Sequence, residues 1–347
     1  MSLIFQFSGG VMNLKERFMN QLAGKSVDMT PVGCTTTYGM VELMKKCGAE
    51  RPLADTNAEA MATLALSAEL AGFEMVKAMG WDITPMSEAF GCGLGIPQID
   101  LQYCIKEHPY AESLDGLAYP SDFLSRGRFP TYKKQFELLK KEVGDKMVIF
   151  GESEGAFTCA ANLVGTENLM KWTFKRAADV EKIVEVTKQA MIDVINFAFE
   201  NGADYYVMAE PTAGPALMSP KMFKKFVVPM LTDVAAKANG PLVLHICGNT
   251  DMIIPLMCET GVKGLSIEEG ANMKAAVNIA HQNGVRVFGN VATATTLFMG
   301  TPEAAYKEAT AALENGTDFL CPGCGIAPGS PLENVLQLKK ARDDYFK

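Results

Sequence analysis

Pro241-Leu242-Val243-Leu244-His245-Ile246-Cys247-Gly248-Asn249 begins as an apolar run and ends in a loop signal. Its first residues suit a buried strand of a parallel sheet. Side chains alternate along a strand, so His245 and Cys247 share a face. Gly248-Asn249 places them at the strand's carboxyl end. A second passage of this kind is Phe319-Leu320-Cys321-Pro322-Gly323-Cys324-Gly325, where an apolar strand runs into Gly and Pro. One imidazole and two thiolates with a position left open are what a catalytic zinc site requires. Four protein ligands would instead close a structural site, and no fourth Cys accompanies these motifs.

Outward from these motifs the chain alternates strand and helix. Strands are expected near 30–34, 74–79, 147–151, 205–209, 241–247, 264–269, 285–290 and 319–324. Helices are expected over 14–22, 61–71, 132–143, 179–200, 222–237, 273–282 and 302–314. Thr56-Asn57-Ala58-Glu59 and Ser330-Pro331-Leu332-Glu333 read as capping boxes, Thr301-Pro302 as an N-cap and N1 pair, and Asn201-Gly202 as a helix stop. About eight such units favour a (β/α)8 TIM-type barrel, an α/β fold, with an insertion after the second strand between about Gly80 and Pro130. Glu152, Glu210, His245, Cys247, Glu268, Asn290 and Cys324 all fall at or just past strand carboxyl ends, the face on which barrels place chemistry. A doubly wound dinucleotide-binding sheet is the alternative. Gly91-Cys92-Gly93-Leu94-Gly95 lacks both the spacing and the following helix that it needs.

The 347 residues are expected to form one barrel domain, preceded by a flexible extension over residues 1–12. An apolar fraction of 48 % supplies a large core, and a net charge of −8 argues against nucleic acid or an anionic membrane surface as partner. Nine cysteines without a disulfide-framework spacing suit a reducing cytosol, so a cytoplasmic location is expected. The opening residues have no basic segment of a signal peptide. No apolar run approaches the ~20 residues of a membrane span.

Individual residues leave choices open. Cys321-Pro322-Gly323-Cys324 could be a redox pair, but that reading wants a helix directly after the motif; Cys321 is expected to pack in the core. Glu268 is the candidate catalytic carboxylate and resting fourth ligand, or else a solvated loop residue. Glu152 and Glu210 either orient a substrate or cap neighbouring loop amides, with capping preferred. His108 and His281 have no ligand partner nearby.

His245-Ile246-Cys247-Gly248-Asn249 and Cys321-Pro322-Gly323-Cys324-Gly325-Ile326-Ala327-Pro328 together resemble the zinc motifs of the methylcobamide:coenzyme M methyltransferases, members of the uroporphyrinogen decarboxylase-like superfamily of (β/α)8 barrels. Thr30-Pro31-Val32, Ser87-Glu88-Ala89, Leu217-Met218-Ser219-Pro220 and Pro331-Leu332-Glu333-Asn334-Val335 extend the similarity over nearly the whole chain. The resemblance implies zinc held by His245, Cys247 and Cys324. It implies methyl transfer from a methylated corrinoid such as methylcobalamin, carried by a corrinoid protein, to the thiol of coenzyme M through a zinc-bound thiolate. A pterin or another thiol is the alternative acceptor. The decarboxylases of the superfamily grip carboxylates with an Arg-bearing segment, and 31–38 contains no Arg, which disfavours that chemistry. His281-Gln282-Asn283-Gly284 matches half of a corrinoid-binding Asp-x-His-x-x-Gly motif, but Ile279 stands where Asp is required. The corrinoid is therefore expected from a partner, received at a broad apolar rim.

Overall fold

A computed structural model describes residues 12–347. The extension expected over 1–12 falls, for residues 1–11, outside the described residues. The described residues hold nine strands, in chain order β1 (Met75–Lys77), β2 (Gly93–Leu94), β3 (Ile105–Glu107), β4 (Val148–Glu154), β5 (Tyr205–Ala209), β6 (Leu242–His245), β7 (Gly264–Ser266), β8 (Arg286–Val291) and β9 (Phe319–Pro322). Seven of them form one parallel sheet in the order β1-β4-β5-β6-β7-β8-β9. Strands that pair with their successors through helical crossovers bury both faces, which is why these runs are apolar throughout.

The sheet curls without its ladder closing. Between the outer strands β1 and β9 lies the segment 31–33, where Val32 makes a single parallel bridge to Leu320. Leu320 N–H donates to the Pro31 carbonyl at 2.9 Å, Gly33 N–H to the Leu320 carbonyl at 3.1 Å, and Glu74 N–H to the Val32 carbonyl at 2.8 Å. A strand was expected at 30–34; a bridge stands in its place. Pro31 has no N–H to give to a ladder.

Two cores result. Met75, Val148, Phe150, Tyr205, Val243, Phe288 and Phe319 pack inside the curl with Phe18 and Leu22 of the helix Leu14–Leu22. Phe18 stacks on Tyr205 at 4.8 Å between ring centroids and lies 4.6 Å from the Phe319 ring. This helix plugs the amino end of the curl. A larger core lies between the sheet and its outer helices, such as Ala177–Asn201 and Phe129–Val143.

Several boundaries differ from the sequence reading. Asn57, not Thr56, caps the helix Ala58–Leu66, accepting from Ala60 N–H at 2.9 Å, because Thr56 already ends the helix Leu53–Thr56. Ser330 caps nothing; the Glu42 carboxylate accepts from Leu332 N–H instead. The stretch after β1 holds the helix Pro85–Ala89 and the antiparallel pair β2–β3. No helix among the described residues is long and apolar enough to cross a membrane.

Candidate metal centre

β6 ends at His245, and two residues of loop carry Cys247 to the same place; Cys324 lies two residues beyond β9. His245 is 2 % exposed, whereas Cys247 and Cys324 are half-buried. The Cys247 and Cys324 sulfurs are 3.7 Å apart, and His245 Nε2 lies 3.3 Å from the first and 3.5 Å from the second. A tetrahedral zinc with Zn–S near 2.3 Å and Zn–N near 2.0–2.1 Å sets its corners about 3.8 Å apart for two sulfurs and about 3.6 Å for sulfur and nitrogen. The three donor atoms therefore sit as three corners of such a site. They are the one His/Cys/Asp/Glu cluster of metal-binding geometry found among the described residues.

The electrostatics favour a cation. The Cys247 thiol, donating to Cys324, holds the Cys324 sulfur as a thiolate far below the usual thiol range, with His245 adding to the effect against burial. The same contact, with burial, pushes the Cys247 thiol up. Burial works to lower the His245 imidazole, but Cys324, Glu152 and Glu268 outweigh it and raise it. A bound dication would replace the shared protons.

The ring is aimed by a hydroxyl chain. With Nε2 towards the sulfurs, Nδ1–H donates to Ser266 Oγ at 3.1 Å, and Ser266 Oγ lies 3.0 Å from Thr35 Oγ1. Ser266 is fully buried at the end of β7, so this orientation is locked before any metal arrives. Glu268 lies two residues further. Its Oε2 accepts from Gly248 N–H at 2.7 Å, an amide presented by the left-handed turn at Gly248, φ +82°. Glu268 is thus beside Cys247 but outside the three-atom cluster, and burial raises its carboxyl. Asn290 donates to the Glu268 carbonyl at 3.1 Å.

The trio faces a cavity of about 210 Å³ that Glu152, Thr36, Thr37 and Gln102 also line. The strand expected over 147–151 runs on, since β4 continues through Glu154, so Glu152 is a buried strand side chain. It is paired with Lys77 Nζ, and its second oxygen has no partner. Burial raises its carboxyl, against the pull of Lys77. Lys77 escaped the sequence reading, although a lysine inside Glu74-Met75-Val76-Lys77-Ala78-Met79 was itself a signal, since buried lysines require partners. Glu210 caps: it accepts from Phe157 N–H, Thr158 N–H and Thr158 Oγ1 at the start of the helix Ala156–Val164. Cys321 is fully buried in the inner core. His281 pairs with Asp318 at 2.8 Å, and His108 with the Asn162 carbonyl at 2.6 Å, both remote from the trio.

A curled parallel α/β sheet with a thiolate–imidazole cluster at its carboxyl ends is the class that fold and site define. The profile of the family described as uroporphyrinogen decarboxylase (URO-D) matches residues 13–345. Methylcobamide:CoM methyltransferase MtaA of Methanosarcina barkeri is 39 % identical over 334 residues, covering 96 % of this chain and 98 % of that protein. MtbA of Methanosarcina acetivorans, which bears the same enzyme name, is 31 % identical over 340 residues, covering 95 % and 98 %. A solved methyltransferase from Methanosarcina mazei superposes with a TM-score of 0.94 at 39 % identity, over 97 % of this chain and all of that one. The chain belongs to the methylcobamide:CoM methyltransferase family, within the uroporphyrinogen decarboxylase-like superfamily.

Proposed function

We infer that this protein is an enzyme that moves a methyl group from a methylated corrinoid to the thiol of coenzyme M, with zinc held by His245, Cys247 and Cys324. The observation that carries the reading is the three-cornered donor set, spaced at 3.3, 3.5 and 3.7 Å and open on one side to a cavity. Kinship with the two Methanosarcina enzymes supports the donor and the acceptor. When bound, zinc would take the substrate sulfur at the open corner and make the thiolate available at neutral pH.

The chain's own residues do the rest. Ser266 and Thr35 fix the imidazole. Glu268, tethered to the Gly248 amide, is the displaceable fourth donor. The segment 31–33 acts as the eighth stave of a (β/α)8 barrel whose single domain spans the described chain. Ile96, Leu217, Met252 and Met299, exposed apolar side chains in segments that follow strand carboxyl ends, form the rim on which a corrinoid protein docks. Nine free cysteines fit a cytoplasmic setting.

Metal analysis coupled to methyl transfer from methylcobalamin to a panel of thiols tests this reading. One zinc per chain is expected, with coenzyme M as the preferred acceptor. Cys247→Ala and Cys324→Ala each remove a charged donor and should lower metal affinity by more than about 100-fold, abolishing transfer. Cys321→Ala should retain both. Full metal in Cys324→Ala, or none in Cys321→Ala, would mean the wrong cysteine of the pair has been assigned.

A further inference from the structure

The cavity at the trio adjoins a second one of about 310 Å³; Thr37, Gln102, Cys324 and Gly325 line both. We propose that Arg51, on the wall of the second cavity, anchors the anionic end of the thiol substrate and selects thiols that carry a sulfonate. The proposal rests on the methyltransferase reading above.

Arg51 is the sole arginine or lysine lining either cavity among the described residues. Its side chain is 2 % exposed and held from two sides: Nε donates to Asp55 Oδ1 at 3.2 Å and Nη2 to the Trp81 carbonyl at 2.9 Å. No hydrogen bond engages Nη1 among the described residues. A guanidinium ordered in this way has lost its rotamer freedom before binding, so little is lost when an anion arrives.

Two of the acidic groups that line the first cavity are already paired. Glu152 is neutralised by Lys77, and Asp82 accepts from both Nη atoms of Arg128 at 2.5 and 3.0 Å. Asp100 is exposed at the edge of the second cavity. An oxyanion drawn from water into such a space needs a charge-assisted donor, and Arg51 is the one offered. The Thr37 hydroxyl and the Gln102 amide, in the shared region, add neutral donors. In the proposed pose a short thiol places its sulfur at Cys247 and Cys324 and its sulfonate, across the shared lining, towards Arg51. A neutral thiol of equal length satisfies one end only.

The test uses the zinc-loaded full chain as wild type, Arg51→Met and Arg51→Lys. Methylcobalamin is the donor, and 2-mercaptoethanesulfonate or 2-mercaptoethanol the acceptor. The ratio of kcat/KM for the sulfonate over the neutral thiol should fall about ten- to hundred-fold in Arg51→Met, mainly through KM, and less in Arg51→Lys. Zinc content should match wild type. A fall common to both thiols, or an unchanged ratio, overturns the proposal. Titration calorimetry with ethanesulfonate, which has no thiol, should show binding to wild type and none to Arg51→Met. Binding to both alike also overturns it. Should Arg51→Met fail to fold, the Arg51→Lys ratio and the calorimetry of that variant decide in the same way. If wild type turns over no thiol yet binds ethanesulfonate through Arg51, the methyltransferase reading fails and the anion anchor stands.

Discussion

A lysine at the end of β1 has no water to solvate it, and the chain provides one carboxylate for it. Lys77 and Glu152 are 0 % and 1 % exposed as side chains, and they pair across neighbouring strands. Removing one partner of a buried pair leaves an uncompensated charge, which costs far more than the pair contributes. Lys77→Met should therefore destabilise the protein by about 3–5 kcal/mol, and Lys77→Met combined with Glu152→Gln should recover most of that. Denaturant midpoints of the single and double variants measure it. A double variant no more stable than the single one would show that the pair is not what Lys77 supplies. At this scale the sequence offered the His245/Cys247 pair plainly, because two soft ligands beside each other at a strand end are rare. It concealed Lys77, Ser266 and Thr35, since each looks ordinary alone and acquires meaning only when another strand is laid beside it.

At the scale of elements, strand ends and helix starts are sewn together by buried carboxylates. Glu154, at the end of β4, accepts from Ser87 N–H at 2.8 Å and so holds the first turn of the helix Pro85–Ala89. Burial outweighs these hydrogen bonds and pushes its carboxyl up to about 8. Between the ordinary glutamate range and that value, the folded protein holds a proton that the unfolded chain has released. Stability is therefore lost as pH rises through this window, from about 5 to 8. Glu154→Gln keeps an acceptor for Ser87 and has nothing to titrate, so its melting temperature should decline less than wild type's over that window. Parallel pH profiles in a melting experiment check this, and identical slopes would sink it. The sequence placed most elements closely: the helices Leu14–Leu22 and Met273–Gln282 and the strand Tyr205–Ala209 lie where apolar periodicity put them. It misjudged β4, because Gly151-Glu152-Ser153-Glu154 has the composition of a loop. Only the pairing of those residues with Tyr206, Val207, Met208 and Ala209 makes them strand. Local propensity lost to tertiary context there.

For the whole molecule, stability and chemistry lie at opposite ends of the curled sheet. The His245/Cys247/Cys324 cluster and its cavities occupy the carboxyl ends, and the first and last described helices are clasped at the amino end by Glu74, just before β1. Its Oε1 accepts from Arg17 Nη1 at 3.2 Å and from Arg342 Nη2 at 2.7 Å, and its Oε2 from Val32 N–H at 3.4 Å. Arg342 also reaches the Thr30 carbonyl at 2.7 Å, and Arg17 a carboxylate oxygen of Asp28 at 2.6 Å. One buried carboxylate thus ties the first described helix, the segment 31–33 and the helix Leu332–Tyr345 to the sheet. Glu74→Ala would leave two guanidinium groups facing each other, each at most 4 % exposed as a side chain, with Asp28 and Asp343 as their remaining carboxylates. A loss of about 3–5 kcal/mol is expected in urea unfolding. The candidate donors follow β6 and β9, whose ladders to β5, β7 and β8 do not involve Glu74, so the folded fraction of the variant should bind zinc with wild-type affinity. Chelating the metal from wild type should show the converse. Three donors at the ends of preformed strands need no metal to assemble them, so the far-UV circular dichroism of the chelated protein should stay native while methyl transfer stops. A Glu74→Ala protein that keeps its stability but loses zinc, or a chelated one that unfolds, would mean that the two ends of the sheet are coupled and that the metal is part of the fold.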